Sequence, residues 1–252
     1  MRLNQVLLAA ALAVAFCAGA GAANNVLVVG AAFGAPVDEL MATGQFDSVS
    51  FFDARHSTPT LADLQGYSAV LGFTDYAPAD AAGLGDVFKR YVDGGGGLVL
   101  NTFAFSSPWS VDGGITGSGY APLVNVQSNT DVSGTLTAAT SSAIFTGVDL
   151  AALSYYHNGQ FARADLDAGA TLLATDGAGV NMIAISASGR VIANNLLPES
   201  GFGNSAEVYR LTANELSLVA SVPEPETWAM LGGGLGLLAW LGRRRKAVPR
   251  SA

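Results

Sequence analysis

Four short apolar runs, each rich in β-branched or aromatic residues, constrain this chain more than any other feature. They are Asn24–Gly30 (NNVLVVG), Ser48–Asp53 (SVSFFD), Tyr67–Thr74 (YSAVLGFT) and Leu98–Phe103 (LVLNTF). None alternates apolar with polar residues, so each reads as a strand buried on both faces, the habit of a parallel sheet. The segments between them have helical character. Pro36–Gly44 has proline in its first turn and glycine at its end. Thr60–Leu64 predicts a brief turn or helix, with Ser57 and Thr58 as candidate caps. Asp80 predicts the cap of a longer helix reaching Val92, with Leu84, Val87, Phe88 and Tyr91 on one face and Lys89 and Arg90 on the other. Gly94–Gly97 ends that helix as a connector able to take positive φ. Strand and helix in this rhythm predict right-handed βαβ units around a parallel sheet.

Beyond Phe103 the pattern changes. Phe105–Gly119 is rich in Gly, Ser and Pro and reads as a long irregular loop. Shorter β-like pieces follow at Gly134–Ala138, Leu153–His157, Ala170–Thr175, Met182–Ser186 and Arg190–Asn194. Ser205–Ala220 closes the body as a helix, with Val208, Leu211, Leu216 and Val219 expected to be buried. No repeat or linker divides residues 24–220, which read as one domain.

The two ends are of a different kind. Residues 1–23 carry Arg2, an apolar run from Val6 to Phe16, and the small-residue series Ala18–Ala23, the layout of a secretory signal peptide cleaved after Ala22 or Ala23. A lipoprotein signal is the rival, because Cys17 closes the apolar run, but Phe16 is bulky for the position before such a cysteine. At the other end, Val222-Pro223-Glu224-Pro225 precedes an apolar run from Thr227 to Gly242, and Arg243-Arg244-Arg245-Lys246 follows. The prolines remove backbone donors and stop any element entering from the body. The run predicts a short transmembrane helix with Trp228 and Trp240 near its interfaces. The basic cluster then places 247–252 in the cytoplasm.

This order of prolines, acid, glycine-rich apolar run and arginines resembles the PEP-CTERM sorting signal, over residues 221–246. The resemblance implies export, a transient stay in the inner membrane through the C-terminal helix, and processing by an exosortase. The protein would then reach the cell surface, envelope or extracellular matrix. Partners implied are the exosortase and the export machinery, with extracellular polysaccharide as a candidate ligand.

Removing both ends alters the charge. Residues 24–221 hold six Lys and Arg against eighteen Asp and Glu, a net charge of −12. Such a surface disfavours nucleic acid as a partner. The acids are scattered and form no calcium loop. Cys17, the one cysteine, falls in the signal segment, so the mature body offers no thiolate, disulfide or cysteine metal site. Only His56 and His157 are present. No metal or other cofactor is predicted.

The string YVDGGGGLVLNTFAF, followed in order by SSAIFTGVDL, NMIAISASGRVIANNLLPES and RLTANELSLVA, resembles the class I glutamine-amidotransferase-like superfamily, nearest its ThuA-like branch. That resemblance implies an α/β, flavodoxin-like three-layer sandwich with a mostly parallel sheet. The family's chemistry does not transfer. Amidotransferases place a Cys on the turn that here reads Asn101-Thr102-Phe103-Ala104, and a His-x-Glu pair late in the chain is missing. Two readings follow: a non-catalytic domain with a binding or structural role, and a secreted hydrolase acting on polysaccharide or another extracellular substrate.

In a parallel sheet, ligands bind beyond the carboxyl ends of the strands. The candidates there are Gly30–Gly34, Asp53, Thr74, Asp75, Tyr76 and Phe103 to Trp109. Gly30–Gly34 reads either as an anion cradle or, more simply, as a strand-to-helix turn. Asp75 and His157 are the acid–base candidates for a hydrolase, with Ser106 or Ser107 as nucleophile and Asp53 as an alternative acid. Thr74, Asp75, Phe103, Trp109 and His157 form the candidate ligand site, and Trp109, Tyr120 and Phe105 could stack on a sugar ring. His157 reads equally well as a polar residue at a strand end, and His56 as an exposed loop histidine.

Overall fold

The computed structural model describes residues 24–104, 109–124, 135–155 and 165–220. The body alternates β1 (Asn25–Ala31), α1 (Val37–Ala42), β2 (Ser48–Asp53), α2 (Leu61–Leu64), β3 (Ala69–Thr74), α3 (Ala81–Asp93) and β4 (Gly97–Asn101). Two short 3-10 turns, Gly113–Thr116 and Ala143–Phe145, interrupt the middle of the chain. The remaining elements are β5 (Leu123–Val124), β6 (Thr137–Ala138), β7 (Asp165–Leu166), β8 (Thr171–Thr175), β9 (Asn181–Ile185), β10 (Val191–Asn194) and α4 (Ala206–Ala220).

Eight strands form one sheet in the order β2-β1-β3-β4-β10-β9-β8-β6, and β5 pairs with β7 separately. β2, β1, β3, β4 and β10 run parallel, with Val28 opposite Phe51 and Leu71, and Ile192 opposite Val99. β1, β3, β4 and β10 are buried almost throughout, whereas β2 is a partly exposed edge. The expected parallel, flavodoxin-like half is therefore present. The other half is antiparallel: β9 pairs back on β10, β8 on β9 and β6 on β8. The reason is loop length. Asp176–Val180 and Ser186–Arg190 are too short to carry the crossover a parallel pair needs. Both close on themselves, through Asp176 N–H to Val180 O and Ser186 N–H to Val191 O.

Helices cover both faces. α1 and α4 pack on one through Leu40, Val208, Leu211, Leu216 and Val219, against Val28, Leu71, Val99 and Ile192. α3 packs on the other through Leu84, Val87, Phe88 and Tyr91, against Leu27, Val70, Leu98 and Leu100. Strand alternation sends successive side chains to opposite faces, so two cores share one sheet. Asp80 caps α3 as expected, its carboxylate accepting the Gly83 N–H at 2.9 Å. In mid-helix, Gly85 has no side chain because the 3-10 turn at Gly113–Thr116 lies directly against it. A Cβ there would stand 1.6 Å from the Asp112 carbonyl oxygen. At the glycine connector Gly95 takes φ +100°.

Three local expectations need correction. α2 is capped by Thr60 in a reciprocal capping box with Asp63, not by Ser57 or Thr58. The expected strand at Leu153–His157 does not form over 153–155, where the chain is irregular, while 156 and 157 lie outside the described residues. The supposed irregular loop contains an ordered 3-10 turn around the buried Ile115. Among the described residues no helix is long and apolar enough to cross a membrane. The expected transmembrane helix at 227–242 and the signal segment at 1–23 lie outside them, as do Val222, Pro223, Glu224, Pro225, Arg243, Arg244, Arg245 and Lys246.

Candidate functional site

The strand order reverses at β1, whose neighbours β2 and β3 lie on its two sides. Chain leaving the carboxyl ends of β1 and β3 must therefore diverge, which opens the crevice where α/β folds place ligands. From β1 come Phe33 and Gly34, and from β3 come Thr74, Asp75 and Tyr76. The segment after β10 brings Glu199 to the same place. Asn101 anchors that segment by donating through Nδ2 to Leu196 O at 2.9 Å, and Asn204 does so by donating to Leu197 O at 2.9 Å.

Glu199 is 2% exposed. Its Oε1 accepts the Gly34 N–H at 2.7 Å across 165 residues of sequence. The space over Gly34 is tight, since a Cβ would come within 3.0 Å of Ser200 O. The Gly34 amide at the end of the Gly30–Gly34 turn is thus taken by the chain's own carboxyl. The other side of Glu199 meets the half-buried Asp75, carboxyl to carboxyl. Two carboxylates cannot both be ionised at such contact without a large cost, so one proton is shared. Burial first, and then the negative charge of Asp75, push Glu199 up to about 7, against the opposing Gly34 N–H. Burial also raises Asp75, while the hydrogen bond from Glu199 acts to lower it. Both effects of the contact agree that Glu199 carries the proton and Asp75 accepts.

The rim of the crevice is aromatic. Phe33 is 73% exposed and Tyr76 41% exposed, and their rings meet edge to face with centroids 4.8 Å apart. The Arg55 guanidinium lies 4.1 Å from the Phe33 centroid. Arg55 is already committed to Asp53, through Nε at 2.9 Å to Oδ1 and Nη2 at 2.6 Å to Oδ2. That fork holds the Asp53 carboxyl below the usual carboxylate range. Asp53 is therefore an ion-pair partner and not a free acid. His56 is exposed, as expected, with Nε2 3.7 Å from Asp53 Oδ2.

At the turn after β4, Asn101, Thr102, Phe103 and Ala104 are all buried. Their amides are spent within the chain: Thr102 N–H donates to Asn194 O, Phe103 N–H to Thr74 O and Ala104 N–H to Asn101 O. An oxyanion hole needs amides left free at this position. Phe103 packs edge to face on Trp109, centroids 5.1 Å apart, as part of the α1/α4 core. Phe103 and Trp109 thus meet as core packing. Thr74 is fully buried. Tyr120 is committed to α3, its hydroxyl donating to Asp93 at 2.6 Å and its ring beneath Lys89. His157, Ser106, Ser107 and Phe105 lie outside the described residues.

The sequence reading missed Glu199. Its signal was present: an acid closing the apolar segment Leu196-Leu197-Pro198 directly after a β-branched strand. Leu197 stands two residues before it, where a His-x-Glu pair would have histidine. Two cavities lie elsewhere. One of about 370 Å³ sits between α1 and α4, lined by residues including Gln45, Tyr209 and Asn214. One of about 440 Å³ lies beside Tyr67, Tyr91 and Gly94–Gly96. Neither includes Asp75 or Glu199, and the crevice is preferred because the perturbed carboxyls and the topology coincide there.

The PEP-CTERM protein-sorting motif matches residues 221–246. No curated protein matches the chain. Among solved structures, a GMP synthase component from Thermoplasma acidophilum superimposes with a TM-score of 0.51 at 12% identity, covering 80% of this chain and 96% of its own. A ThuA-like protein from Bacteroides uniformis gives 0.48 at 12% identity, with 82% and 95% covered. A glutamine amidotransferase from Methylobacillus flagellatus gives 0.43 at 11%, with 79% and 93% covered. The body shares its α/β fold with the GMP synthase component. The chain as a whole carries a PEP-CTERM sorting motif, which implies export, C-terminal anchoring before processing, and an exosortase as partner.

Proposed function

We propose that this protein is an exported exosortase substrate whose amidotransferase-like domain has a non-catalytic, binding role at the cell envelope or extracellular matrix. On this reading residues 1–23 are the signal peptide and 24–220 the domain. Residues 221–246 sort and temporarily anchor it, and 247–252 are the cytoplasmic tail. The observation that carries it is the turn after β4. The turn Asn101-Thr102-Phe103-Ala104, where the resemblance would put an exposed nucleophile, is buried, and the amides of Thr102, Phe103 and Ala104 donate within the chain. The absence of any cysteine after Cys17 supports the same reading.

The test is turnover by the exported, processed protein of glutamine, of ester substrates and of glycosides. The expected result is none. Hydrolysis abolished by His157→Ala would overturn the reading. The alternative is a secreted hydrolase acting on polysaccharide or another extracellular substrate, with Asp75 and His157 as acid–base residues. It draws on one specific observation, a carboxyl pair in which Glu199 is poised near neutrality. It predicts that Asp75→Asn and His157→Ala each abolish turnover.

A further inference from the structure

We propose that the mouth of the switch-point crevice binds the primary ammonium group of an amino sugar, the amino group meeting Asp75 and Glu199 and the sugar ring lying against Phe33 and Tyr76. The proposal rests on the binding role given above and names the ligand of that site.

The argument starts from unmatched charge. Arg55 is the cation beside the pair, and its guanidinium is taken bidentately by Asp53. The other titratable side chains nearby are His56, after β2 and beside Asp53, and Glu39 on α1, which accepts from Ser200 Oγ. Arg55 is close enough to feel the charge of Glu199, but its hydrogen bonds go to Asp53, and none of these groups hydrogen-bonds to Asp75 or Glu199 as a cation. Glu199 is 2% exposed; the Gly34 N–H donates to its Oε1 and the Phe33 amide also acts on the carboxyl, but among the described residues no N–H or O–H is placed to donate to its Oε2. A buried carboxyl oxygen with no donor to accept from is expensive unless a proton or a cation joins it. Without a bound ligand the shared proton fills that place. An ammonium group brings both the charge and several N–H donors, so it can replace the proton with bonds to both carboxylates.

A divalent cation suits the place less well. Hard cations take six or more oxygen ligands, and among the described residues no group of three acidic or histidine side chains converges anywhere. The rim argues for an organic ligand. Phe33 and Tyr76 are large apolar rings held in the open at the edge of the carboxyl pair. Neither exposed ring face contributes to the core, and aromatic faces suit the apolar C–H face of a sugar ring and attract cations. Phe33 already carries a guanidinium over one face. The acidic body favours the approach of a cationic polymer and repels anionic ones.

Binding then exchanges one proton for one ammonium ion. The R–NH3+ group enters, the shared proton leaves Glu199 for the buffer, and both carboxylates are left ionised and paired.

The experiment is calorimetric titration of the full-length protein in mild detergent with a glucosamine trimer at pH 6. The N-acetylglucosamine trimer is the neutral control. The expected result is binding at least tenfold tighter for the amino form, with close to one proton released per site, read from buffers of different ionisation enthalpy. Asp75→Asn should weaken it at least tenfold. Tyr76→Ala and Phe33→Ala, exposed positions whose loss leaves the core intact, should each weaken it severalfold. His56→Gln should leave it unchanged. Equal binding of the acetylated trimer, indifference to both Asp75→Asn and Tyr76→Ala, or tighter binding of Nα-acetyl-lysine amide than of the sugar would overturn the proposal. So would stoichiometric competition by calcium. Turnover detected in the assays above with amino-sugar binding intact would overturn the non-catalytic reading alone. Absence of both turnover and binding would overturn this proposal alone.

Discussion

Glu215 gives the sharpest test of how this fold handles buried charge. It lies on α4, fully buried, and both of its carboxyl oxygens receive the Asn194 side-chain amide, at 2.8 and 3.0 Å. Burial pushes its pKa up from 4.5 to about 8, against the stabilising Asn194 bond, so at neutral pH it is a neutral acid. In the unfolded chain it ionises near its ordinary value. Below about pH 4.5 both states hold the proton and the group is neutral to stability. As the pH rises towards 8 the unfolded state loses its proton while the folded state keeps it, so stability falls. Above 8 both are ionised and the loss levels off. A gap from 4.5 to about 8, at roughly 1.4 kcal/mol per pH unit, is worth about 5 kcal/mol at most. Glu215→Gln keeps the shape and an acceptor for Asn194 but cannot ionise. We expect the variant to match the parent near pH 5 and to exceed it by several kcal/mol at pH 8, measured by urea unfolding across that range. Glu199 and Asp75 bend the parent curve in the same direction, and the difference between the two proteins cancels their share. Curves that stay parallel from pH 5 to 8 would refute the reasoning.

Three other outcomes follow from named contacts. Gly85→Ala drives a methyl into the Asp112 carbonyl and should cost about 2 kcal/mol or more, seen as a lower urea midpoint with unchanged slope. Asp80→Ala removes the acceptor for the Gly83 N–H and should cost about 1 kcal/mol, most of it restored by Asp80→Ser. Replacing Pro223, Glu224 and Pro225 should leave the protein in the membrane fraction and unprocessed, read by cell fractionation and mass. Normal release of that variant would remove the sorting interpretation of the tail.

Local pattern made much of the fold legible. Apolar β-branched runs place β1 to β4 within a few residues, because burial on both faces of a parallel sheet leaves no polar alternation. Helical spacing identifies the packed face of α3, and Leu84, Val87, Phe88 and Tyr91 are all buried. The switch to an antiparallel half was written in the five-residue turns at 176–180 and 186–190, which leave no room for crossovers. Other errors had competing physics. Ser57, Thr58 and Thr60 are all good cap residues, and only Thr60 has an Asp three places on to complete a capping box. At the site, Asp75 was legible from its place after a strand and Glu199 left a signal of its own, but their pairing was not legible.

The sequence by itself determined the rhythm of elements, the lack of a cysteine in the body and the sorting tail. These depend on neighbours in the chain or on composition alone. Only the tertiary structure decided that Glu199 would meet Gly34 and Asp75, that Arg55 would be spent on Asp53, and that Phe103 would be core while Phe33 stands open. Proton sharing depends on burial and on charges contributed from β1, β3 and the segment after β10. No local stretch contains that information, because the energy of a carboxyl is set by what surrounds it in space.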